Sequence, residues 1–147
     1  MAKIFDVANW FLSKESMSHK KLQKLAYYVE AWGWALYERD VIEDTNFEAW
    51  VHGPVSKILY DRYRYSGWND IESVADNSNK FNAEELELLE SVWLTYGKLS
   101  ANELEALTHS EIPWRAAREG CADCEACSNE ISPELMKTYY RSIYTGE

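Results

Sequence analysis

The most chemically distinctive segment of the sequence contains three cysteines, Cys121, Cys124 and Cys127, each separated from the next by two residues. Thiolates at this spacing are typical ligands of zinc or of iron–sulfur clusters, but a tetrahedral zinc site needs four ligands. His109, His52 or an external group would have to be the fourth ligand. Zinc binding is therefore one hypothesis, and the main expectation is an acidic loop with reduced cysteines and no cofactor.

The same segment contains Cys-x-x-Cys pairs, which are also typical of thiol redox proteins, but the βαβ setting of such proteins is not indicated here. Asp123 and Glu125 lie between the cysteines and should raise their thiol pKa values, which disfavours reactive thiolates. Three closely spaced cysteines are also a poor disulfide framework and are typical of a reducing compartment. We therefore expect a loop at 120–131 and a cytoplasmic protein.

No other pattern indicates catalysis. The sequence has no glycine-rich phosphate loop, no Gly-x-Ser-x-Gly elbow and no His-Glu-x-x-His motif. Its histidines, His19, His52 and His109, do not stand at ligand spacing from one another. Because an enzyme needs a nucleophile, a base and an electrophilic group together, we expect a protein without enzymatic activity.

The charge balance bounds the class of partner. The 147 residues include 15 basic and 25 acidic residues, which gives a net charge of −10. Such a surface repels phosphate, so nucleic acid or an anionic membrane is not expected as the main partner, although it would steer a less acidic protein toward it. No apolar run approaches the roughly 20 residues needed to span a membrane.

A local basic cluster at the start of the second predicted helix departs from this acidic balance. It consists of His19, Lys20, Lys21, Gln23 and Lys24. A DNA-recognition helix would present such residues at its N-terminus, so a phage- or prophage-associated DNA-binding regulator is an alternative. The preceding turn is too long for a helix–turn–helix, and the cluster has no arginine to read guanine. We interpret it as a solvent-exposed helix start.

The chain is rich in aromatic residues, with 7 Trp and 10 Tyr. Trp and Tyr are favoured at protein interfaces, and a cluster of exposed rings is less common than a single one. Three tryptophans fall on apolar helix faces and are expected in the core: Trp32, Trp93 and Trp114. Five other rings lie off those faces or near the ends of elements, and they are the candidate partner-binding residues: Trp34, Tyr37, Trp50, Tyr65 and Trp68.

Most of the chain has the hydrophobic spacing of helices. Apolar residues recur at i, i+3, i+4 and i+7, which predicts an all-α, compact single domain over residues 1–147 with about seven helices. The last of them is a C-terminal helix over 133–144. Side chains suited to capping mark several helix starts: Ser18, Asn82, Ser100 and Ser132.

One segment has a different period. Residues 46–52 alternate between apolar and polar side chains, which predicts a single short extended or β segment. We expect Gly53 to break it and Pro54 to occupy the first position of the next helix. On this strand Trp50 would face away from Phe47 and Ala49.

Three sequence blocks, taken together, resemble one protein family. They are KLQKLAYY at 21–28, FEAWVHGPV at 47–55 followed by Tyr60, and LEALTHxxxPW at 104–114. Their order and spacing are similar to those of the Panacea domain, the SocA/GepA-like family of phage-associated proteins. The resemblance extends from about Phe5 to Tyr140.

The resemblance implies an all-helical antitoxin of a toxin–antitoxin system, which binds and neutralises a toxin encoded by a neighbouring gene. It also implies an alternative, an adaptor that delivers its toxin to a AAA+ protease. It carries over no catalytic residue, and the triple-cysteine loop is a departure from the family pattern. The matching motif positions are interpreted as mostly structural: Leu22, Gln23, Leu25, Tyr28, Gly53, Pro54, Thr108, His109, Pro113 and Trp114.

Overall fold

The fold is built around one long helix. The computed structural model describes residues 1–144, so the end of the predicted domain, 145–147, lies outside the described residues. Within the described range the expectation of a mainly helical fold with seven α-helices is confirmed. They are α1 (Ile4–Lys14), α2 (His19–Tyr37), α3 (Lys57–Tyr63), α4 (Ala83–Tyr96), α5 (Ala101–Ser110), α6 (Ile112–Ala117) and α7 (Pro133–Ile143).

Helix α2 is the central element. Ser18 caps it by accepting a hydrogen bond from the Lys21 amide, and thirteen of its nineteen residues are buried. Helices α1, α4, α5 and α7 all pack against it. A helix surrounded in this way is buried on most of its circumference, polar residues included.

The segment after α2 returns along the helix and is fixed by its side chains. Glu30 Oε1 accepts hydrogen bonds from the amides of Val41 and Ile42, at 2.9 and 3.0 Å. Gly33 faces the same segment, and a Cβ there would collide with the Val41 side chain. A glycine in mid-helix, which costs about 1 kcal/mol relative to alanine, is therefore explained by close packing.

Two small antiparallel strand pairs complete the fold. β1 (Met17–Ser18) pairs with β4 (Asp70–Ile71), and β2 (Glu48–Trp50) pairs with β3 (Gly53–Val55). The extended segment expected near 46–52 is thus the first arm of a hairpin. The prediction that Pro54 begins the next helix is wrong, because Pro54 pairs with Ala49 in β3 and α3 begins after Ser56.

The helix caps predicted from the sequence are confirmed. Asn82 with Glu85 and Ser100 with Glu103 form the two capping boxes, and Ser132 caps α7, which has Pro133 in its first turn. The segment 68–80 contains β4 and a short 3-10 turn at Ser78–Lys80. Strand β4 forms by pairing with β1, and local sequence does not predict it because this partner lies far away in the chain.

Candidate protein-binding groove

A groove of about 650 Å³ opens at the N-terminal end of α2. Its walls are α2, the β2–β3 hairpin, α3 with the turn that follows it, and the end of the cysteine loop. Three aromatic rings line it, those of Trp50, Tyr60 and Trp68. We call it the aromatic groove.

Gln23 fastens the floor of the aromatic groove to the hairpin. Its side-chain amide donates to the Ser56 carbonyl oxygen at 3.1 Å, and its carbonyl oxygen accepts from the Ser56 amide at 2.8 Å. Gln23 Nε2 also lies 3.0 Å from His19 Nε2. Gln23 and Ser56 are both buried. Their pair of hydrogen bonds, called here the latch, therefore fixes the position of the end of the hairpin on α2.

Lys24 lies beside the latch and is 1% exposed. Its Nζ donates to the Pro54 carbonyl oxygen at 3.3 Å, and its aliphatic chain packs on Gly53. A Cβ at Gly53 would lie 2.5 Å from Lys24 Cε and 3.1 Å from Thr108 Oγ1. Gly53 also has a φ of +114°, so both space and backbone conformation call for glycine here.

The interpretation of this region as a solvent-exposed basic helix start is therefore wrong. His19, Gln23 and Lys24 are all buried, because α3, α5 and the hairpin pack over the first turns of α2. The pKa of Lys24 is lowered to about 7, mainly by burial and to a smaller extent by the charge of Lys20, while Glu105 opposes the change. Burial, together with Lys24, also lowers the pKa of His19 to about 4, so this ring is neutral at pH 7.

Helix α5 does not line the groove but forms charged contacts with two of its lining residues, Lys20 and His52. Glu105 forms an ion pair with Lys20 and lies 3.2 Å from His52 Nδ1. Lys20 also donates to Asn102 at 2.8 Å. These contacts hold Lys20 and His52 at the rim of the groove. The carboxylate of Glu105 is engaged by these two residues outside the groove.

The structure places two of the five candidate aromatic residues, Trp50 and Trp68, on the lining of the aromatic groove, and Tyr65 next to the groove residue Arg64. Trp50 is half-buried, and its ring lies 4.7 Å from that of Tyr60. Tyr65 and Trp68 are 84% and 78% exposed. They follow α3 in the 3-10 turn Arg64–Ser66 and the chain just after it.

Trp34 and Tyr37 lie in another region, toward the C-terminal end of α2. Both are half-buried, and the Trp34 indole donates to Asp40 at 3.2 Å. Tyr37 lines a separate cavity of about 230 Å³ with Trp32 and Tyr96. Since ten residues of helix span about 15 Å, these rings do not belong to the aromatic groove.

Other motif residues of α2 lie in the hydrophobic core. Leu22, Leu25 and Tyr28 are buried in the core. Tyr28 donates to Glu111 at 2.8 Å, and Tyr140 donates to the same oxygen at 2.7 Å. Burial raises the pKa of Glu111, although both hydrogen bonds oppose this change.

The third motif block holds the other face of the hairpin. The Trp114 indole donates to the Trp50 carbonyl oxygen at 2.9 Å, and the His109 ring stacks on Trp114 at 3.9 Å. Thr108 and Pro113 are buried between these contacts. The three motif blocks therefore converge on the β2–β3 hairpin.

The cysteine loop differs from the reduced state that the sequence suggested. Cys121 and Cys127 form a disulfide with Cα atoms 6.2 Å apart, and Cys124 is exposed. Arg118 makes this turn possible, since its guanidinium donates to carbonyl oxygens of the loop at Ala122 and Glu125. Over residues 1–144 there is no group of three or more potential metal ligands, so zinc remains a hypothesis for the reduced protein only.

These features define a mainly helical protein with an aromatic, partly basic groove at a hairpin held by three motif blocks. The model of the SocA-like antitoxin family with the Panacea domain matches residues 22–115, and the chain belongs to this family. The resemblance inferred from the motif blocks is thereby confirmed, and it supports a role in a toxin–antitoxin system. No curated protein and no solved structure matches the chain.

Membrane insertion of a helix was not expected. Among the helices of residues 1–144, none combines the length and the apolar character needed to cross a bilayer.

Proposed function

We propose that this protein is an antitoxin that neutralises a cognate toxin by binding it directly. The proposal rests on family membership and on one structural observation. Two large aromatic side chains, Tyr65 and Trp68, project into solvent beside the aromatic groove with 84% and 78% of their surfaces exposed. A partner that covers these two rings would remove their apolar surface from water, which would stabilise the complex.

The surroundings of these rings suit a contact surface. Arg64 lies 4.8 Å from the Tyr65 ring, and Trp68 lines the groove together with Trp50. Trp, Tyr and Arg are the residue types that most often dominate binding energy at interfaces. Neutralisation by binding needs no catalytic step, in keeping with the absence of catalytic motifs in the sequence.

Co-expression with the product of the neighbouring gene tests the proposal. We expect the wild-type chain to rescue growth and to co-purify with that product. The double variant Tyr65→Ala/Trp68→Ala should lose both properties, with a decrease in affinity of at least 100-fold, because each lost anchor costs about 2 kcal/mol or more. Leu94→Ala is the matched control, since Leu94 on α4 is also 78% exposed.

Two results would contradict the proposal. One is the absence of both rescue and complex formation with the wild-type chain. The other is equal rescue by the double variant and by Leu94→Ala. Inhibition of the purified toxin at a 1:1 ratio would establish direct neutralisation, whereas loss of toxin only in cells with an active AAA+ protease would favour the adaptor role instead.

A further inference from the structure

The charge of the aromatic groove is opposite to that of the protein as a whole. The chain has a net charge of −10, yet within the described residues no Asp or Glu lines the groove. Lys20, Lys24 and Arg64 line it, together with His19 and His52. A cleft that excludes carboxylates in an acidic protein presents a local site for an anion.

Lys24 is the residue that makes this site unusual. An ammonium group has three N–H donors, and Lys24 Nζ has one acceptor in the described structure, the Pro54 carbonyl oxygen at 3.3 Å. Buried charges are usually paired with an opposite charge. The titratable groups near it are Lys20, Glu105, His109 and the neutral His19. The one acidic group among them, Glu105, is already engaged by Lys20 and His52.

The groove walls next to Lys24 are apolar and aromatic, so a bound anion should be attached to an apolar group. Trp50 and Tyr60 form one wall with their rings 4.7 Å apart, and Val55 and Trp68 also face the groove. Its volume of about 650 Å³ lies within the usual range of ligand sites, roughly 300–1,000 Å³. This space accommodates an aromatic or aliphatic side chain together with a carboxylate.

We propose that the aromatic groove is a carboxylate receptor for a segment of the partner protein. In that segment a side-chain or C-terminal carboxylate lies beside an apolar side chain. The carboxylate accepts a hydrogen bond from Lys24 Nζ, and the apolar side chain packs against Trp50 and Trp68. This inference rests on the proposed function and adds the chemistry of the partner segment.

Proton linkage supports the assignment. Burial lowers the pKa of Lys24 to about 7, so the neutral amine is populated near physiological pH. A carboxylate next to Nζ favours the charged form and raises this pKa. Binding at pH 8 should therefore be accompanied by net proton uptake.

A small-molecule pair tests the receptor without the toxin. The probe is indole-3-propionate, and its matched control is the uncharged indole-3-propionamide. We expect the wild-type chain to bind the acid at least tenfold more tightly than the amide in NMR titrations, because a charge-assisted hydrogen bond is lost with the amide. The Lys24 side-chain resonances should titrate at higher pH in the presence of the acid.

Variants assign the preference to one side chain. Lys24→Met retains the aliphatic packing and should bind acid and amide equally, while Lys98→Met, at an exposed lysine outside the groove, should behave as wild type. Equal binding of acid and amide by the wild-type chain would overturn the proposal. So would an acid preference that survives in folded Lys24→Met. If that variant does not fold, the shift of the Lys24 titration in the wild-type chain decides the question.

The toxin itself separates this inference from the proposed function. Lys24→Met should bind the toxin at least tenfold more weakly than Lys98→Met, with a smaller proton uptake. Equal toxin affinity for the two variants would refute the carboxylate receptor and leave the antitoxin function intact. An acid preference in the probe experiment without any toxin binding would overturn the partner segment as the occupant and indicate a small free carboxylate.

Discussion

Replacing Gln23 with methionine tests whether the latch to Ser56 positions the hairpin. Methionine has nearly the same length and volume but cannot form either hydrogen bond. The substitution leaves the amide and the carbonyl of Ser56 without their side-chain partner, at a residue that is 0% exposed. The Ser56 carbonyl oxygen still accepts from the Tyr60 amide at 2.9 Å, so only the Ser56 amide is left unsatisfied. An unsatisfied buried backbone group costs about 1–3 kcal/mol, and we expect a loss of this size in the free energy of unfolding.

The effect should extend beyond one contact, because Ser56 has several structural roles. Its hydroxyl lies 2.7 Å from Thr45 Oγ1 and caps α3 at the Leu59 amide. Loss of the latch thus loosens the hairpin and the start of α3 together. Both elements line the aromatic groove, so partner affinity should fall along with stability.

Urea unfolding followed by circular dichroism measures this prediction. For a domain of this size the expected loss corresponds to a decrease in Tm of about 3–10 °C. Leu22→Met is the control, since Leu22 is adjacent, equally buried and replaced by a residue of similar volume at a cost below about 1.5 kcal/mol. A loss of less than about 0.5 kcal/mol for Gln23→Met, or a loss equal to that of the control, would refute the latch.

Three further predictions concern other sites. Burial raises the pKa of Glu30 from 4.5 to about 8, so the folded state retains a proton that the unfolded state releases. The stability that this proton provides is full below pH 4.5 and is lost as the pH rises to 8. In urea unfolding, Glu30→Gln should therefore gain stability relative to wild type between pH 4.5 and 8. Gly53→Ala should cost about 2 kcal/mol or more and Gly67→Ala about 1 kcal/mol, because both have positive φ but only Gly53 is blocked by Lys24; equal losses would contradict this reasoning. Metal analysis of reduced protein purified without a His-tag should find negligible zinc in both wild type and Cys124→Ser, and stoichiometric zinc in wild type alone would favour the zinc hypothesis.

Local signals in the sequence were sufficient for the helices and their starts. A capping box involves residues three positions apart, so Asn82 and Glu85 can be recognised without knowledge of the fold. The motif blocks were likewise sufficient to identify the family, since residue types and spacing are sequence properties. These parts of the structure depend on short-range interactions.

The hairpin and the burial of Lys24 depend on long-range contacts, and the sequence did not reveal them. Pro54 has the residue type of a helix start, but its pairing with Ala49 places it in a strand. Lys24 has the residue type of an exposed position, but the hairpin and α5 cover it. The sequence does contain one indication of this burial. Apolar residues on all sides of α2 indicate a central helix, on which polar residues are buried as well.

The burial of Lys24 also changes what the net charge implies about the partner. At physiological salt, charge interactions are screened over about 8 Å, so the acidic exterior acts mainly on the approach of a partner and not inside the groove. The exterior favours a partner that is less acidic overall, whereas the groove favours a carboxylate beside an apolar side chain. The two requirements are compatible, because they act on different parts of the partner and at different stages of association. A weakly basic protein with one acidic, apolar segment satisfies both, and this combination narrows the choice of partner more than the net charge of −10 does alone.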